Sequence, residues 1–437
     1  MPRFYLLMIV LILSLSLRAQ SLYFPPNGGT TWDTLSPASQ GYCSPRVDSL
    51  YNFLAAQNTK AFILLQDGKI VLEKYFGTHT ATTPWQWASA GKTITAFMTG
   101  MAQQEGFLSI ADTTSTYLGQ GWTDCTPAQE ANITIRHQLC MATGLDDGVT
   151  DPFCTLDTCL VYKADPDTRW AYHNGPYTLL DGVIESATGQ SLNTYTTQKL
   201  KTPTGMTGTF VSVDYNNVFF SNARSMARFG LLMLNKGNWN GNQIMTDTAY
   251  FNQLANTSQS INLSYGYLWW LNGKQSHRLP GPQIAFPGSI CPKAPADTYM
   301  AMGKDGQFLN VTPSRNMVWM RMGDAPDNLP VPYLLNDQIW DYINRLTCTS
   351  TDLAQTESLS DGVQLFPNPA QDIVRIKAEK LISKVELFNA QGQLLTTERP
   401  TTNEMELSIQ DLPRGFYLVH LSFIDGKTAI GKLIVGN

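Results

Sequence analysis

A serine and a lysine three positions apart open the apolar segment WQWASAGKTITAFMTGMAQQEG, residues 85–106. Ser89 is a weak nucleophile until a base takes its proton, and Lys92 can reach its oxygen because positions i and i+3 share one face of a helix. A lysine acts as a base only when burial or nearby positive charge lowers its pKa, and the surrounding apolar side chains would bury this one. The alternative is a helix cap beside a solvated lysine, and the spacing alone does not decide between the two.

The composition indicates an exported, folded protein of more than one domain. The 437 residues are 43% hydrophobic and 15% charged, with a net charge of −5 and no basic run, which argues against nucleic acid as a partner. Residues 1–19 combine Arg3 with an apolar run from Leu6 to Leu17, the pattern of a secretory signal peptide cleaved after Ala19. A retained membrane anchor is the alternative.

The cysteines fit an exported protein. Seven follow the signal peptide: Cys43, Cys125, Cys140, Cys154, Cys159, Cys291 and Cys348. Because export permits disulfides and seven is odd, at least one thiol stays free or pairs between chains, and Cys154–Cys159 is the expected pair. The metal-binding patterns Cys-x-x-Cys and His-x-x-x-His do not occur, so we expect no metal or organic cofactor. The sequence leaves the oligomeric state open.

Secondary-structure patterns place strands at both ends of residues 20–348, with helices between them. Residues 44–60 predict a helix, and the dipeptide Asp67-Gly68 between two apolar runs predicts a β-hairpin. Further patterns predict a helix that starts near 221 and runs to Lys236, where Gly237 stops it, strands in 265–271, 298–313 and 316–323, and a closing helix in 330–346. This order predicts one sheet assembled from both ends, beside a helical lobe, with a cleft between them.

The composition changes after Cys348. Residues 349–361 are polar and lack periodicity, so they are predicted to form a linker. Residues 362–437 contain short β segments, separated by turns at the spacing of a small β-sandwich. These segments are DIVRIKA, KVELFNAQGQLL, EMELSIQDL, GFYLVHLSF and GKLIV.

Two motifs and several longer blocks carry a family resemblance. Ser89 and Lys92 match the first motif, Ser-x-x-Lys, and Tyr172-His173-Asn174 match the second, Tyr-x-Asn, of the serine beta-lactamase and penicillin-binding-protein superfamily. The blocks HQLCMATGL and TPTGMTGT also look family-like, and the chain most resembles the class C and esterase branch. The resemblance implies a two-lobed fold, α/β plus all-α, with an antiparallel sheet flanked by helices and a helical lobe, followed here by the small β-sandwich.

The resemblance also implies roles for these residues. Ser89 would attack a carbonyl carbon and form an acyl-enzyme, while its backbone N–H stabilises the oxyanion. Lys92 and Tyr172 would share the work of the base, with the phenol held as phenolate by the charge of the lysine. Asn174 would hydrogen-bond Lys92 or an amide of the substrate, and His173 would be structural.

The third motif of the family, usually Lys-Thr/Ser-Gly or His-x-Gly, is altered in this chain. The candidate is Lys304-Asp305-Gly306, followed by Gln307. Lys304 would supply positive charge, Gly306 would admit the substrate close to the strand, and the N–H of Gln307 would be a second oxyanion donor. Asp305 replaces the hydroxyl that holds the carboxylate of beta-lactams, which favours esters or amides without that group. A plain β-turn is the alternative.

The tail carries a second resemblance. LFPNPAQDIVRI, VELFNAQGQLL and GKLIVGN resemble the C-terminal sorting domain of the type IX secretion system of some Gram-negative bacteria. This implies contact with the secretion machinery and a secreted or cell-surface protein, and a carbohydrate-binding or adhesive module is the alternative. The combined prediction is a secreted serine hydrolase that cleaves esters or amides. The alternatives are a beta-lactamase or D,D-peptidase, and a non-catalytic receptor for cell-wall fragments.

Overall fold

The chain divides into two compact units, Met1–Thr347 and Cys348–Asn437. The computed structural model describes residues 22–324, 331–348, 363–389 and 393–436. The predicted signal peptide 1–19 and the predicted linker 349–361 lie outside these residues. None of the helices in the described ranges has the length and hydrophobicity needed to cross a bilayer.

The first unit alternates strands and helices as the sequence patterns suggest. Its helices are α1 Ser44–Ala56, α2 Lys92–Gln104, α3 Ser115–Leu118, α4 Pro127–Glu130, α5 Ile135–Leu139, α6 Asn174–Thr178, α7 Leu180–Thr188, α8 Leu192–Thr196, α9 Thr202–Thr204, α10 Ala223–Leu234, α11 Thr248–Leu254 and α12 Tyr333–Asn344. Its strands are β1 Thr59–Gln66, β2 Lys69–Tyr75, β3 Trp85–Gln86, β4 Thr209–Val213, β5 Asn216–Ser221, β6 Asn238–Trp239, β7 Asn242–Gln243, β8 Trp270–Leu271, β9 Ser276–His277, β10 Phe286–Pro287, β11 Tyr299–Gly303, β12 Gln307–Thr312 and β13 Met317–Gly323.

The main sheet joins the two ends of this unit. Its six antiparallel strands lie in the order β2-β1-β13-β12-β11-β8, so an early hairpin pairs with late strands. The hairpin turns at Asp67 and Gly68, which have φ angles of 51° and 82°, the left-handed geometry of a tight two-residue turn. The predicted sheet, assembled from both ends of the domain, is therefore confirmed.

Both faces of the sheet are covered, which explains why β13 is apolar throughout. The side chain of Val318 faces α10, where it lies beside Gly230. The next residue, Trp319, points to the opposite face and packs against Trp340 of α12 with 5.8 Å between ring centroids. Every residue of β13 is buried, as expected for a strand between two helical layers.

The helical lobe is built around α2, which is buried at every position from Lys92 to Ala102. Two predictions differ from the observed elements in detail. The predicted helix at Ser89 begins as a 3-10 turn, Ala88–Gly91, and α2 starts only at Lys92. The predicted strand 265–271 is reduced to β8, because Leu268 adopts a left-handed φ of 60° that interrupts extended backbone.

The arm that precedes α1 packs onto both parts of the unit. Arg228 of α10 is buried and donates hydrogen bonds to the carbonyls of Pro26 (2.8 Å) and Thr204 (2.7 Å). Its guanidinium also lies 5.2 Å from the ring of Trp32. The indole of Trp32 in turn donates to the carbonyl of Gly68 at 2.8 Å. The arm thus links the hairpin turn to α10.

The disulfide prediction is confirmed. Cys154 and Cys159 are joined, with 5.9 Å between their Cα atoms. Cys43 and Cys348 are disulfide-bonded as well. The free thiols are Cys125, Cys140 and Cys291.

The second unit is composed of strands, which confirms the predicted small β-sandwich tail. They are β14 Gln364–Phe366, β15 Ile373–Asn389, β16 Leu394–Glu398, β17 Thr402–Ser408, β18 Gly415–Phe423 and β19 Thr428–Val435. The predicted segment DIVRIKA and the first half of KVELFNAQGQLL share one long strand, β15, whereas Leu394 and Leu395 at the end of the second segment belong to β16. The first half of β15 pairs with β14 and β17, and after a register shift between Lys377 and Ile382 it pairs with β16 and β18.

We expect Gly230→Ala to destabilise the first unit by about 1–3 kcal/mol, because a methyl group there overpacks the contact between α10 and the sheet. A Cβ at this position would lie 2.5 Å from Val318 Cγ1 and 2.7 Å from Leu309 Cδ1. Chemical denaturation measures the change. Ser186→Ala, at an exposed position of α7, is the control and should change stability by less than about 0.5 kcal/mol. Equal stability of the two variants would contradict this packing.

Candidate active site

Ser89 lies on a 3-10 turn between β3 and α2, at the junction of the sheet and the helical lobe. The turn is fixed by Trp87, whose backbone N–H donates to the carbonyl of Phe219 and whose indole donates to Ser221 Oγ, both at 2.8 Å. Trp87 is fully buried whereas Ser89 is partly exposed. The serine hydroxyl is therefore accessible but stands on a rigid support.

Lys92 and Tyr172 meet at this hydroxyl. Lys92 Nζ donates to Ser89 Oγ at 2.9 Å, and the phenol of Tyr172 interacts with the Ser89 side chain, which opposes the rise in the pKa of the phenol. The ammonium nitrogen lies 5.2 Å from the ring centroid of Tyr172 and 4.3 Å from that of Tyr177. Lys92 is only 4% exposed. The structure thus brings together the three residues that the sequence predicts to act together.

Burial changes the proton affinities of the two candidate bases in opposite directions. It lowers the pKa of Lys92 to about 7, with Asp181 opposing the shift, so a free amine is accessible near neutral pH. Burial raises the pKa of Tyr172 to about 12, so the phenol keeps its proton. This environment favours Lys92 as the base and does not support the expected phenolate. Tyr172 is placed instead to pass a proton.

An aromatic layer packs behind Tyr172. Its ring stacks on Trp270 at 5.7 Å between centroids and contacts Trp170 and Tyr265 at 6.3 Å each. The latter three side chains are at most 2% exposed. They keep bulk water away from the phenol and the amine, which strengthens the electrostatic interactions between them.

Asn174 and His173 are both buried beside Tyr172. Asn174 Oδ1 has no hydrogen-bond partner among the described residues, so the predicted bond to Lys92 is not formed and this oxygen is left for a substrate group or water. Both ring nitrogens of His173 also lack a partner there, and burial lowers its pKa to about 4. His173 is therefore a neutral side chain between two functional neighbours.

The strand that approaches Ser89 does so through Gly303, the last residue of β11. A Cβ on Gly303 would lie 3.0 Å from the backbone nitrogen of Ser89 and 2.7 Å from the carbonyl oxygen of Trp87. Only glycine allows this approach of two backbones. Gly303 pairs with Gln307 in the β11–β12 register, so Gln307 lies one strand further away.

The predicted third motif forms the turn just beyond Gly303. Lys304 is exposed and Asp305 is half-buried, with a left-handed φ of 62°. The carbonyls of Asp305 and Gly306 both accept hydrogen bonds from buried Arg321, at 3.0 and 2.7 Å. The Gln307 amide is bonded to the backbone of Gly323, at 2.7 and 3.1 Å. These four residues lie near the site, and their predicted roles remain predictions.

Sequence reasoning missed Gly303, Arg321 and Asp181. Asp181 of α7 is buried and accepts hydrogen bonds from Asn217 Nδ2 (3.1 Å) and Thr95 Oγ1 (3.4 Å). No local pattern marks Arg321 or Asp181, because each reaches the site through tertiary packing. Gly303 had a visible signal, since it is the first glycine of the segment Gly-Lys-Asp-Gly.

Comparison with known families decides how this arrangement is classified. Residues 55–341, more than half of the chain, match the family model described as Beta-lactamase. The chain belongs to the beta-lactamase family. The fold class predicted from the sequence is thus confirmed, and the protein is a serine hydrolase of this family. Residues 364–436 match the secretion system C-terminal sorting domain, so this beta-lactamase-family protein is exported, to the medium or the cell surface of a Gram-negative bacterium.

Solved structures support the fold at low sequence identity. A putative 6-aminohexanoate-dimer hydrolase from Bacillus anthracis is similar over 76% of this chain and 91% of its own, with a TM-score of 0.56 and 19% identity. A putative beta-lactamase from Bacteroides dorei is similar over 70% of this chain and 99% of its own, with a TM-score of 0.56 and 15% identity. A family VIII carboxylesterase is similar over 70% of this chain and 99% of its own, with a TM-score of 0.51 and 14% identity. No curated protein sequence matches the chain.

We expect protonation of His173 to destabilise the protein in acid. Its pKa is about 4 when folded against an ordinary value of 6.5, so the unfolded chain binds the proton first and stability falls as pH drops below 6.5. The loss should approach about 2–3 kcal/mol near pH 4. Denaturation of wild type and His173→Gln between pH 7 and 4.5 tests this. The variant should lose less stability than wild type, and a difference that is constant with pH would contradict the assignment.

Proposed function

We propose that the protein cleaves ester or amide bonds through an acyl-enzyme on Ser89, with Lys92 as the base. The observation that carries this proposal is the 2.9 Å hydrogen bond between Lys92 Nζ and Ser89 Oγ, made by an amine whose burial lowers its pKa to about 7. A lysine with its ordinary pKa would be protonated at neutral pH and could not accept the serine proton.

The reaction follows from these positions. Neutral Lys92 takes the proton of Ser89 as Oγ bonds to the carbonyl carbon, and the oxyanion forms beside the backbone N–H of Ser89. When the tetrahedral intermediate collapses, the leaving oxygen or nitrogen receives that proton, with Tyr172 placed to relay it. Water then attacks the acyl-enzyme and gives its proton to Lys92, and Lys92 returns that proton to Ser89 Oγ as the acid leaves.

Asp305 supports a preference for substrates without a carboxylate. Its Oδ2 accepts a hydrogen bond from Gln86 Nε2 at 3.4 Å, and Gln86 is only three residues before Ser89. Within the described ranges, no cation forms a direct ion pair with the Asp305 carboxylate, and buried Arg321 acts on it only at longer range. A carboxylate of a beta-lactam would meet a like charge at this edge of the site.

The names of the structural neighbours are consistent with this substrate class. One is a carboxylesterase and another a putative hydrolase of the 6-aminohexanoate dimer, which are ester and amide chemistries respectively. A penicillin-binding-protein homologue from Caulobacter crescentus has the same fold at a TM-score of 0.52. Activity on beta-lactams or D-Ala-D-Ala peptides is therefore the alternative that an assay must separate.

We further infer the processing of the chain from its organisation. Residues 1–19 would be removed on export, residues 20–348 would form the hydrolase domain, and residues 349–361 would link it to the sorting domain at 362–437. The sorting domain implies contact with the secretion machinery, and a small molecule or peptide is the substrate that the hydrolase site favours.

A fluorophosphonate probe should label the wild-type protein at Ser89, because the probe captures a serine activated by an adjacent base. Labelling and hydrolysis of p-nitrophenyl esters should fall at least about 1,000-fold in Ser89→Ala. Ser186→Ala, at an exposed serine, is the matched control and should leave both unchanged. A folded wild-type protein that the probe does not label would favour the non-catalytic receptor instead.

We expect Asp305→Asn to improve the turnover of anionic substrates selectively. Asparagine tolerates the left-handed φ of 62° at this position, so the turn is kept while the charge is removed. The kcat/KM for nitrocefin, which carries a carboxylate, should rise about fivefold at low salt, and the value for a neutral ester should stay the same. The gain should shrink at 1 M salt. Wild-type nitrocefin turnover that rivals ester turnover would contradict the proposed preference.

A further inference from the structure

A buried carboxyl group lies behind the catalytic lysine. Asp181, in the first turn of α7, is 7% exposed. Its two hydrogen-bond donors are both neutral, Asn217 Nδ2 at 3.1 Å and Thr95 Oγ1 at 3.4 Å. No ion pair within hydrogen-bonding distance neutralises it in the part of the chain that the structure describes. An isolated ionised carboxylate is costly in such a place, so its presence calls for a compensating positive charge nearby.

Lys92 is the cation that acts electrostatically on this carboxyl group. Thr95, which donates to Asp181, lies one helical turn after Lys92 on α2, so both side chains share one face of the helix. Tyr177 of α6 completes the contact, because its ring lies 4.3 Å from Lys92 Nζ and its phenol interacts with the side chain of Thr95. The carboxyl of Asp181 and the amine of Lys92 therefore lie on either side of one small buried cluster.

We propose that Asp181 is a positioning residue for Lys92, whose buried carboxylate sets the pH at which the amine becomes the base for Ser89. This inference rests on the proposed function, because it assigns a role to Asp181 only if Lys92 acts on Ser89.

The physical reason is a balance between two opposed effects on the amine. Burial favours neutral Lys92, and without an anion the amine would bind its proton so weakly that it would be a poor base for a serine hydroxyl. The Asp181 carboxylate favours the ammonium form, and together the two effects leave the pKa of Lys92 at about 7. Burial likewise raises the pKa of Asp181 to about 7, with Lys92 opposing that rise.

The other titratable groups around this pair leave Asp181 as the anion that dominates. Ser89 and Tyr172 face the amine from the 3-10 turn and from the segment before α6, and Tyr177 faces it from α6. Burial keeps both phenols protonated at neutral pH because it raises the pKa of each. Glu185, one turn further along α7, raises the pKa of Asp181, as burial does.

A purely structural role for Asp181 predicts a different result. As a mere hydrogen-bond acceptor between α2, α7 and β5, it would affect stability and the overall rate but not the pH at which the rate changes. The two roles are separated by the pH profile of the reaction rather than by its magnitude.

The test is the second-order rate of fluorophosphonate labelling of Ser89 between pH 5 and 10, in the full-length protein. In wild type this rate should rise with a midpoint near 7, the pKa of Lys92. In Asp181→Asn the midpoint should move down by about one pH unit, because the anion that stabilises the ammonium is lost. The plateau rate should also fall several-fold, since a weaker base removes the proton less effectively.

Three further variants keep the test decisive. Asp112→Asn removes the same charge from a carboxylate that bonds Tyr117 and Ser109 instead, and its midpoint should match wild type. Asn217→Ala removes a donor that stabilises the Asp181 carboxylate, so its midpoint should move down by a smaller amount, and this variant serves if Asp181→Asn does not fold. Asp181→Glu should restore the midpoint toward wild type.

The outcomes separate the role inferred for Asp181 from the function proposed for Ser89 and Lys92. An unchanged or higher midpoint in folded Asp181→Asn overturns the inference about Asp181. If that variant does not fold, the same result in Asn217→Ala overturns it. In either case, labelling of the wild type leaves the proposed function intact. If wild type shows no labelling that depends on Ser89 at any pH, both the proposed function and the inference built on it fail.

Discussion

The structure depends on keeping one amine out of water. Lys92 is the first residue of a helix that is buried along most of its length, and its amine donates a hydrogen bond to the partly exposed Ser89. Removing a cation from water is unfavourable unless it is compensated or neutralised. The charge of Lys92 is partly compensated by the carboxyl group of Asp181, and its lowered pKa makes the neutral amine accessible.

The core is stable enough to offset the unfavourable burial of this amine, because strands from both ends of the first unit pair in one sheet. β13 is covered by α10 on one face and α12 on the other, so the platform carrying β11 has little freedom to move. Buried Arg321 extends this rigidity to the turn after Gly303 by bonding its carbonyls. The turn after Gly303 is thus held by packing and hydrogen bonds from residues outside the cleft.

The sequence predicted the parts of the site that are local in the chain. Ser89 and Lys92 are linked by helical spacing, and the hairpin at Asp67 and Gly68 follows from turn chemistry alone. Either Gly303 or Gly306 could approach Ser89, depending on where β11 ends. A shift of one residue in a strand turns every side chain to the other face of the sheet, so the sequence could not show which glycine it is. Asp181 could not be predicted in this way, because its contact with the α2 face exists only once α7 has packed there. The single strand β15 was divided in the prediction because its charged middle resembles a turn.

The arm before α1 has a practical consequence for anyone who produces this protein. Arg228 has no carboxylate partner among the described residues and relies on the carbonyl of Pro26 and the ring of Trp32 for solvation within the core. A recombinant form trimmed back to the first helix would lose these two partners of the buried guanidinium, which would keep the carbonyl of Thr204 and the ring of Trp239. Purification tags are therefore better placed upstream of residue 22 than in exchange for the arm.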